Sequence, residues 1–163
     1  MKNGSTILLK IAVVLMGVPV LALAVVLWLQ IGRVAIAEAL KGARLGYIIL
    51  GVLVGMTLSM IPYYASLYQA FKLLTYIDHD KAFSLLSVAA LKKIKKCALI
   101  ICGFYILISP LVFAVAQWDD APGLVIVGMI PAFAALVVAL FAAVLQRLLQ
   151  EAIELKSENE LTV

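Results

Sequence analysis

A chain of 163 residues that is 66% hydrophobic and 13% charged, with a formal net charge of +4, does not have water as its main solvent. An ordinary soluble domain is about 45–50% apolar and about 25% charged, because polar residues must cover its outside; lipid removes that requirement. The composition points to one compact unit, residues 1–163, read as an all-α polytopic membrane protein.

The first uncharged apolar stretch, Ile11 to Leu29, follows Lys2 and Lys10. It contains Ala22-Leu23-Ala24, which resembles a signal-peptidase site. The apolar run continues through Val25, Val26, Leu27 and Trp28, so a retained anchor is expected. Three further stretches run from Leu45 to Leu67, Cys97 to Ala116 and Leu124 to Leu145. A hydrocarbon core of about 30 Å takes about 20 helical residues, so each crosses once. None contains Asp, Glu, Lys, Arg or His, and none alternates polar with apolar residues as the strands of a membrane β-barrel would.

Lysine and arginine usage orients the spans. Lys2 and Lys10 precede the first; Lys72, Lys81, Lys92, Lys93, Lys95 and Lys96 lie in the 68–96 loop; Arg147 and Lys156 lie in the 146–163 tail. The opposite side holds only Arg33, Lys41 and Arg44. Both termini are therefore expected in the cytoplasm, with Trp28 and Trp118 at the outer interface. The third loop, Gln117 to Gly123, with Asp119, Asp120 and the turn-forming Pro122-Gly123, reads as a tight external hairpin.

Each span contains a proline, namely Pro19, Pro62, Pro110 and Pro131. Each removes a backbone hydrogen bond and bends its helix, leaving a carbonyl for a neighbour or a hydroxyl to satisfy. The bends serve either as ordinary kinks or as the walls of a ligand cavity. Gly51, Gly55 and Ser59 form one ladder of small residues and Ala135, Ala139 and Ala143 another. Small residues four apart permit close helix approach. Either ladder serves packing within the protein or a contact between copies; internal packing is expected, and a homo-oligomer stays open.

The 68–96 loop exceeds a connector. Asp78, His79 and Asp80 break the helix that continues from the second span, and Asp80 or Ser84 caps the next one. From Ser84 on, Lys92, Lys93, Lys95 and Lys96 share one arc, with Leu86, Ala90, Leu91 and Ile94 opposite. This is either a positive-inside anchor or a partner-docking surface. The fourth helix is expected to project past the membrane. Leu145, Leu148, Leu149, Ala152 and Ile153 form its apolar stripe, and Gln146, Arg147, Gln150, Glu151 and Glu154 its polar face. The loop helix is the first candidate to cover the stripe, which would bring Glu151 and Glu154 toward the lysines.

Catalytic chemistry is not legible. His79 between two aspartates reads as a solvated turn before a metal ligand, and Cys97 and Cys102, five apart, match neither a CxxC redox motif nor a metal pair. The GxxxxGK[ST], HExxH and GxSxG motifs are missing from the sequence. Uncharged spans argue against ion pumping. No enzyme activity, metal or cofactor is expected.

The segment Ala65-Ser66-Leu67-Tyr68-Gln69-Ala70-Phe71-Lys72-Leu73-Leu74 is followed by Tyr76-Ile77-Asp78, Lys81-Ala82-Phe83-Ser84 and Ala90-Leu91-Lys92-Lys93-Ile94-Lys95. With the turn Asp119 to Gly123 and the tail Lys156 to Val163, these resemble the YoaS-like bacterial family of unknown function. The resemblance spans nearly the whole chain and identifies no chemistry. It implies a regulatory pairing, since such genes commonly neighbour one for a small Cro-like helix-turn-helix regulator. The expected function is a regulatory or sensory partner of a cytoplasmic protein, held in the bacterial cytoplasmic membrane. The alternative is a small transporter, or a resistance or immunity protein for an apolar compound or membrane-active peptide. The lipid bilayer is the first partner. Direct nucleic-acid binding is not expected, because anionic head groups compete for the lysines.

Overall fold

The computed structural model describes residues 2–162, with side chains from Gly4 onward. The chain is all-α: α1 (Lys2–Leu27), a π-helical turn (Trp28–Gly32), α2 (Arg33–Leu40), α3 (Arg44–Asp78), α4 (Leu85–Trp118) and α5 (Gly123–Leu161). α1, the π turn and α2 run on as one helix. Four helices are thus long and apolar enough to cross a membrane. At 1.5 Å per residue each is about 50–60 Å long, well beyond the hydrocarbon thickness.

Turn chemistry defines the ends. Gly42 has φ +80° between α2 and α3, Asp120 has φ 51° between α4 and α5, and Asp80 has φ 57° after α3. Ser84, not Asp80, caps α4: its hydroxyl oxygen accepts from the Ser87 amide and its hydroxyl donates to the Lys81 carbonyl at 2.6 Å. The residues between Leu29 and Arg44, expected as a loop, are helical as far as Leu40. Ala35, Ala39 and Gly46 explain this, because the backbones of α2 and α3 touch there. A Cβ on Gly46 would lie 2.4 Å from the Ala39 nitrogen.

The four long helices stand in a row in chain order. The first approaches α3, α3 approaches α4, and α4 approaches α5; α1 and α5 do not meet. The arrangement is therefore an open row. Where small residues lie decides the neighbours. Gly51 and Gly55 of α3 face Leu111 and Ile108 of α4, and a Cβ on Gly55 would meet Ile108 at 2.5 Å. Ser59 is buried further along α3, its hydroxyl turned back onto the Met56 carbonyl.

On α5 the buried stripe is Ala132, Ala135, Ala139 and Ala142, while Ala143 is only half-buried. A contact line between nearly antiparallel helices follows alternating steps of three and four, whereas strict steps of four drift around the helix. The expected Ala135, Ala139, Ala143 ladder follows the second pattern and leaves the interface at its last step.

Pro19, Pro62, Pro110 and Pro131 all lie inside helices. Pro110 withholds an amide from the Ile106 carbonyl, and the Ser109 hydroxyl donates to that oxygen at 2.7 Å.

Gly55→Val should destabilise the α3–α4 contact by about 1–3 kcal/mol through overpacking. Gly103, where an added Cβ would have nothing within 4 Å, serves as the control. Gly103→Ala should leave the thermal midpoint in detergent unchanged or raise it, since alanine is the better helix former by up to about 1 kcal/mol.

Candidate functional site

Two regions concentrate polar chemistry: the charged end of the row and the seam between the first helix and α3.

At the charged end, the last turns of α3, the first turns of α4 and the last turns of α5 lie together. α4 is the centre. Ser87 is fully buried and donates to the Lys81 carbonyl at 3.1 Å, and Val88, Ala90, Leu91 and Ile94 are buried around it. Leu86, expected on the same face, is 52% exposed. Lys92, Lys93 and Lys96 are exposed and Lys95 is half-buried. Leu149 is half-buried and Glu151 and Glu154 are exposed. Glu151 accepts from Arg147 of its own helix at 3.0 Å. Among the described residues no salt bridge joins Glu151 or Glu154 to the α4 lysines. One turn of helix satisfies Glu151 without any approach to α4.

The first helix is held differently. Its most apolar stretch is the least buried of the four, and it leans on α3 alone through side-chain bonds. Lys10 forms a salt bridge with Asp78, each side chain 22% exposed, and its ammonium lies 5.6 Å from the centre of the Phe71 ring. Hydrogen bonding from Lys10 holds the Asp78 carboxyl below the usual carboxylate range against partial desolvation, with Thr6 donating a further bond. Tyr63 and Tyr64 donate to the carbonyls of Met16 at 3.0 Å and Gly17 at 2.7 Å, in the turn before Pro19. Trp28 donates to the Thr57 hydroxyl at 2.8 Å, and that hydroxyl donates to the Leu53 carbonyl at 2.8 Å.

Trp28 is thus level with the middle of the second apolar stretch. The helix simply continues past it, and the indole folds over Gly32, where a Cβ would meet the ring at 2.8 Å. Trp118, at the end of α4, is 67% exposed.

These pairs fix a register with a consequence. Uncharged residues run 11–32 in the first helix, 45–71 in α3, 97–118 in α4 and 123–146 in α5. Gly51 faces Leu111 and Gly55 faces Ile108, which places Lys96 level with Leu67; Leu67 in turn packs on Gly17. The first helix therefore stays uncharged for two turns, about 10 Å, beyond the level of Lys96 before it reaches Lys10. At the other end Arg33 falls level with Val52, about 10 Å short of the ends of the other three. At the Arg33 end this step lies between the first helix and α3; at the Lys10 end α3 itself stays uncharged to Phe71, so the first helix outruns α3 by only about 3 Å and outruns α4 by the full step.

Two hollows flank this seam. A groove of about 540 Å³ runs along α1 from Ile7 to Pro19, with Phe71 as its α3 wall and Lys10 as its one charged group. A cavity of about 90 Å³ lies between Trp28, Leu53, Met56, Thr57, Met60 and Tyr105.

The sequence profile described as "Protein of unknown function (DUF2975)" matches residues 33–163. The chain belongs to this family. It is 51% identical over 163 residues to YoaS of Bacillus subtilis (strain 168), described as an uncharacterized membrane protein, with both chains covered completely. No solved structure matches it. It is accordingly a multi-pass membrane protein with a bacterial relative. The family profile begins at Arg33, where the π turn ends, so α1 with its groove lies outside the matched segment.

Sequence reasoning named the α4 lysines, Leu149, Glu151 and Glu154, but not the seam. The signal for Lys10 and Asp78 was present: opposite charges flanking successive apolar stretches, on the same expected side. The Trp28–Thr57 and tyrosine–carbonyl bonds had no such signal, because they depend on helix rotation.

The sign of the Asp78 shift gives a pH prediction. A lowered carboxyl stabilises the seam above its ordinary value of about 3.9 and loses that contribution as pH falls through the lowered value. With spin labels on cysteines replacing Gly4 and Lys81, and Cys97 and Cys102 changed to serine, the inter-label distance should stay narrow from about pH 5 to 8 and broaden below about pH 4. In Asp78→Asn it should be broad at every pH.

Proposed function

We propose that the protein is a non-enzymatic regulatory or sensory component of the bacterial cytoplasmic membrane, with both termini in the cytoplasm, and that it engages a cytoplasmic protein such as a helix-turn-helix regulator. The observation that carries this reading is the charged end of the row. α3, α4 and α5 all continue past their uncharged stretches at that end, and the α4 segment there contains Ser87, Val88, Ala90, Leu91 and Ile94, the densest run of buried residues in the chain. A segment packed that well outside hydrocarbon is a built platform, since burial there gains the full hydrophobic effect that lipid-facing contacts lack. It presents Lys92, Lys93 and Lys96 to solvent, beside the acidic last turns of α5.

The transporter reading is supported by the small cavity that Trp28, Thr57 and Tyr105 share. At about 90 Å³ it is well below the roughly 300–1,000 Å³ of sites that enclose a drug-sized ligand, and the groove of about 540 Å³ lies open along α1 without enclosing one, so the regulatory reading is preferred.

Two measurements test this. Thiol labelling of intact cells should modify Asp119→Cys and leave Lys81→Cys unmodified; the reverse would invert the orientation. Deleting residues 158–163, or replacing Lys92, Lys93 and Lys96 by glutamine, should leave protein levels within about twofold, because little apolar surface is lost. At least one variant should lose a soluble partner in capture from native membranes and change transcription of the neighbouring genes. Unchanged capture and transcription, with altered tolerance of an apolar toxin in a deletion strain, would decide for transport.

A further inference from the structure

The geometry points to the α1 groove as a site for one anionic phospholipid of the surrounding leaflet, whose phosphate competes with Asp78 for Lys10. The inference supplies a ligand class to the sensory reading and rests on it for its biological meaning only.

Three observations converge. First, the register step leaves α1 apolar for about 10 Å beyond the level at which α4 turns basic. Ile7, Ile11, Val14 and Leu15 are more than half exposed there. α3 stays uncharged to Phe71 beside it, and apolar surface above the level at which α4 turns basic draws lipid upward along both helices. Second, that surface is concave and not merely bare. The groove of about 540 Å³ is walled by Phe71 and opens sideways, so a chain enters from the bilayer without a portal. From Lys10 to Pro19 it is about 13 Å long, close to the roughly 15 Å of one leaflet's hydrocarbon. Third, the only charge in the lining is cationic and sits at one end. Lys10 has three ammonium donors, Asp78 is its salt-bridge partner, and Phe71 lies beneath it. An acyl chain in the groove puts its phosphate beside Lys10, where it repels Asp78. Because the Lys10–Asp78 pair ties α1 to the end of α3, lipid capture loosens that tie at the edge of the charged platform.

The test uses full-length protein in phosphatidylcholine vesicles containing a few per cent of phosphatidylglycerol with a photoreactive acyl chain. The same chain on phosphatidylcholine and as a free fatty acid provides the comparisons, with adducts mapped by mass spectrometry. Labelling of residues 7–19 should favour phosphatidylglycerol over phosphatidylcholine by about fivefold, the effect of one lysine at the surface. Lys10→Gln should bring that ratio to about one, Asp78→Asn should raise it, and Val14→Trp should block labelling of the groove while sparing residues 124–145. Equal labelling by the two phospholipids would mean annular lipid only and would overturn the site. Stronger labelling by the free fatty acid would overturn its assignment to a phospholipid. A selective groove in a protein whose partner capture ignores the tail and lysine variants would sink the regulatory reading alone.

Discussion

Inside hydrocarbon, apolar side chains gain little by leaving lipid for one another, so helices associate through close backbone approach and a few polar bonds. The row of helices follows from this constraint. Between α3, α4 and α5 the solution is small residues: Gly51 and Gly55 against Leu111 and Ile108, Gly128 against Val112, and the Ala132, Ala135, Ala139, Ala142 stripe. α3 and α4 each spend two faces on neighbours. α5 carries one buried stripe and ends the row.

The first helix obeys the same constraint by the other route. Gly17 and Gly46 allow approach at two points, and the rest of the seam is held by hydrogen bonds from Tyr63, Tyr64 and Trp28 and by the Lys10–Asp78 pair. Bonds of this kind fix register residue by residue, and here they end the uncharged stretch about 10 Å short of α3 at Arg33 and carry it about 10 Å past the level of Lys96 at the other end. The π turn begins at Trp28, whose indole folds onto Gly32 and reaches Thr57.

The charged end is packed differently. Beyond the uncharged stretch of α4, Val88, Leu91 and Ile94 are buried on a helix that continues from that stretch without a linker. The Lys10–Asp78 pair joins the first helix to the last residue of α3, at the charged end of the row.

Much of this was legible in the sequence because it is a property of single segments. Four uncharged apolar runs determine four long helices, Asp78-His79-Asp80 and Asp119 to Gly123 determine where two of them stop, and the lysine arc of α4 follows from helical period alone. Tertiary structure decided what depends on the rotation and offset of one helix against another: that the helices form an open row, that Ala142 replaces Ala143 in the α5 stripe, that the chain stays helical through Leu40, and that Glu151 turns to Arg147. Hydropathy reports how long a helix can stay in lipid, but not at what height. That height is set by Lys10 finding Asp78 and Trp28 finding Thr57, contacts that exist only once two helices have met.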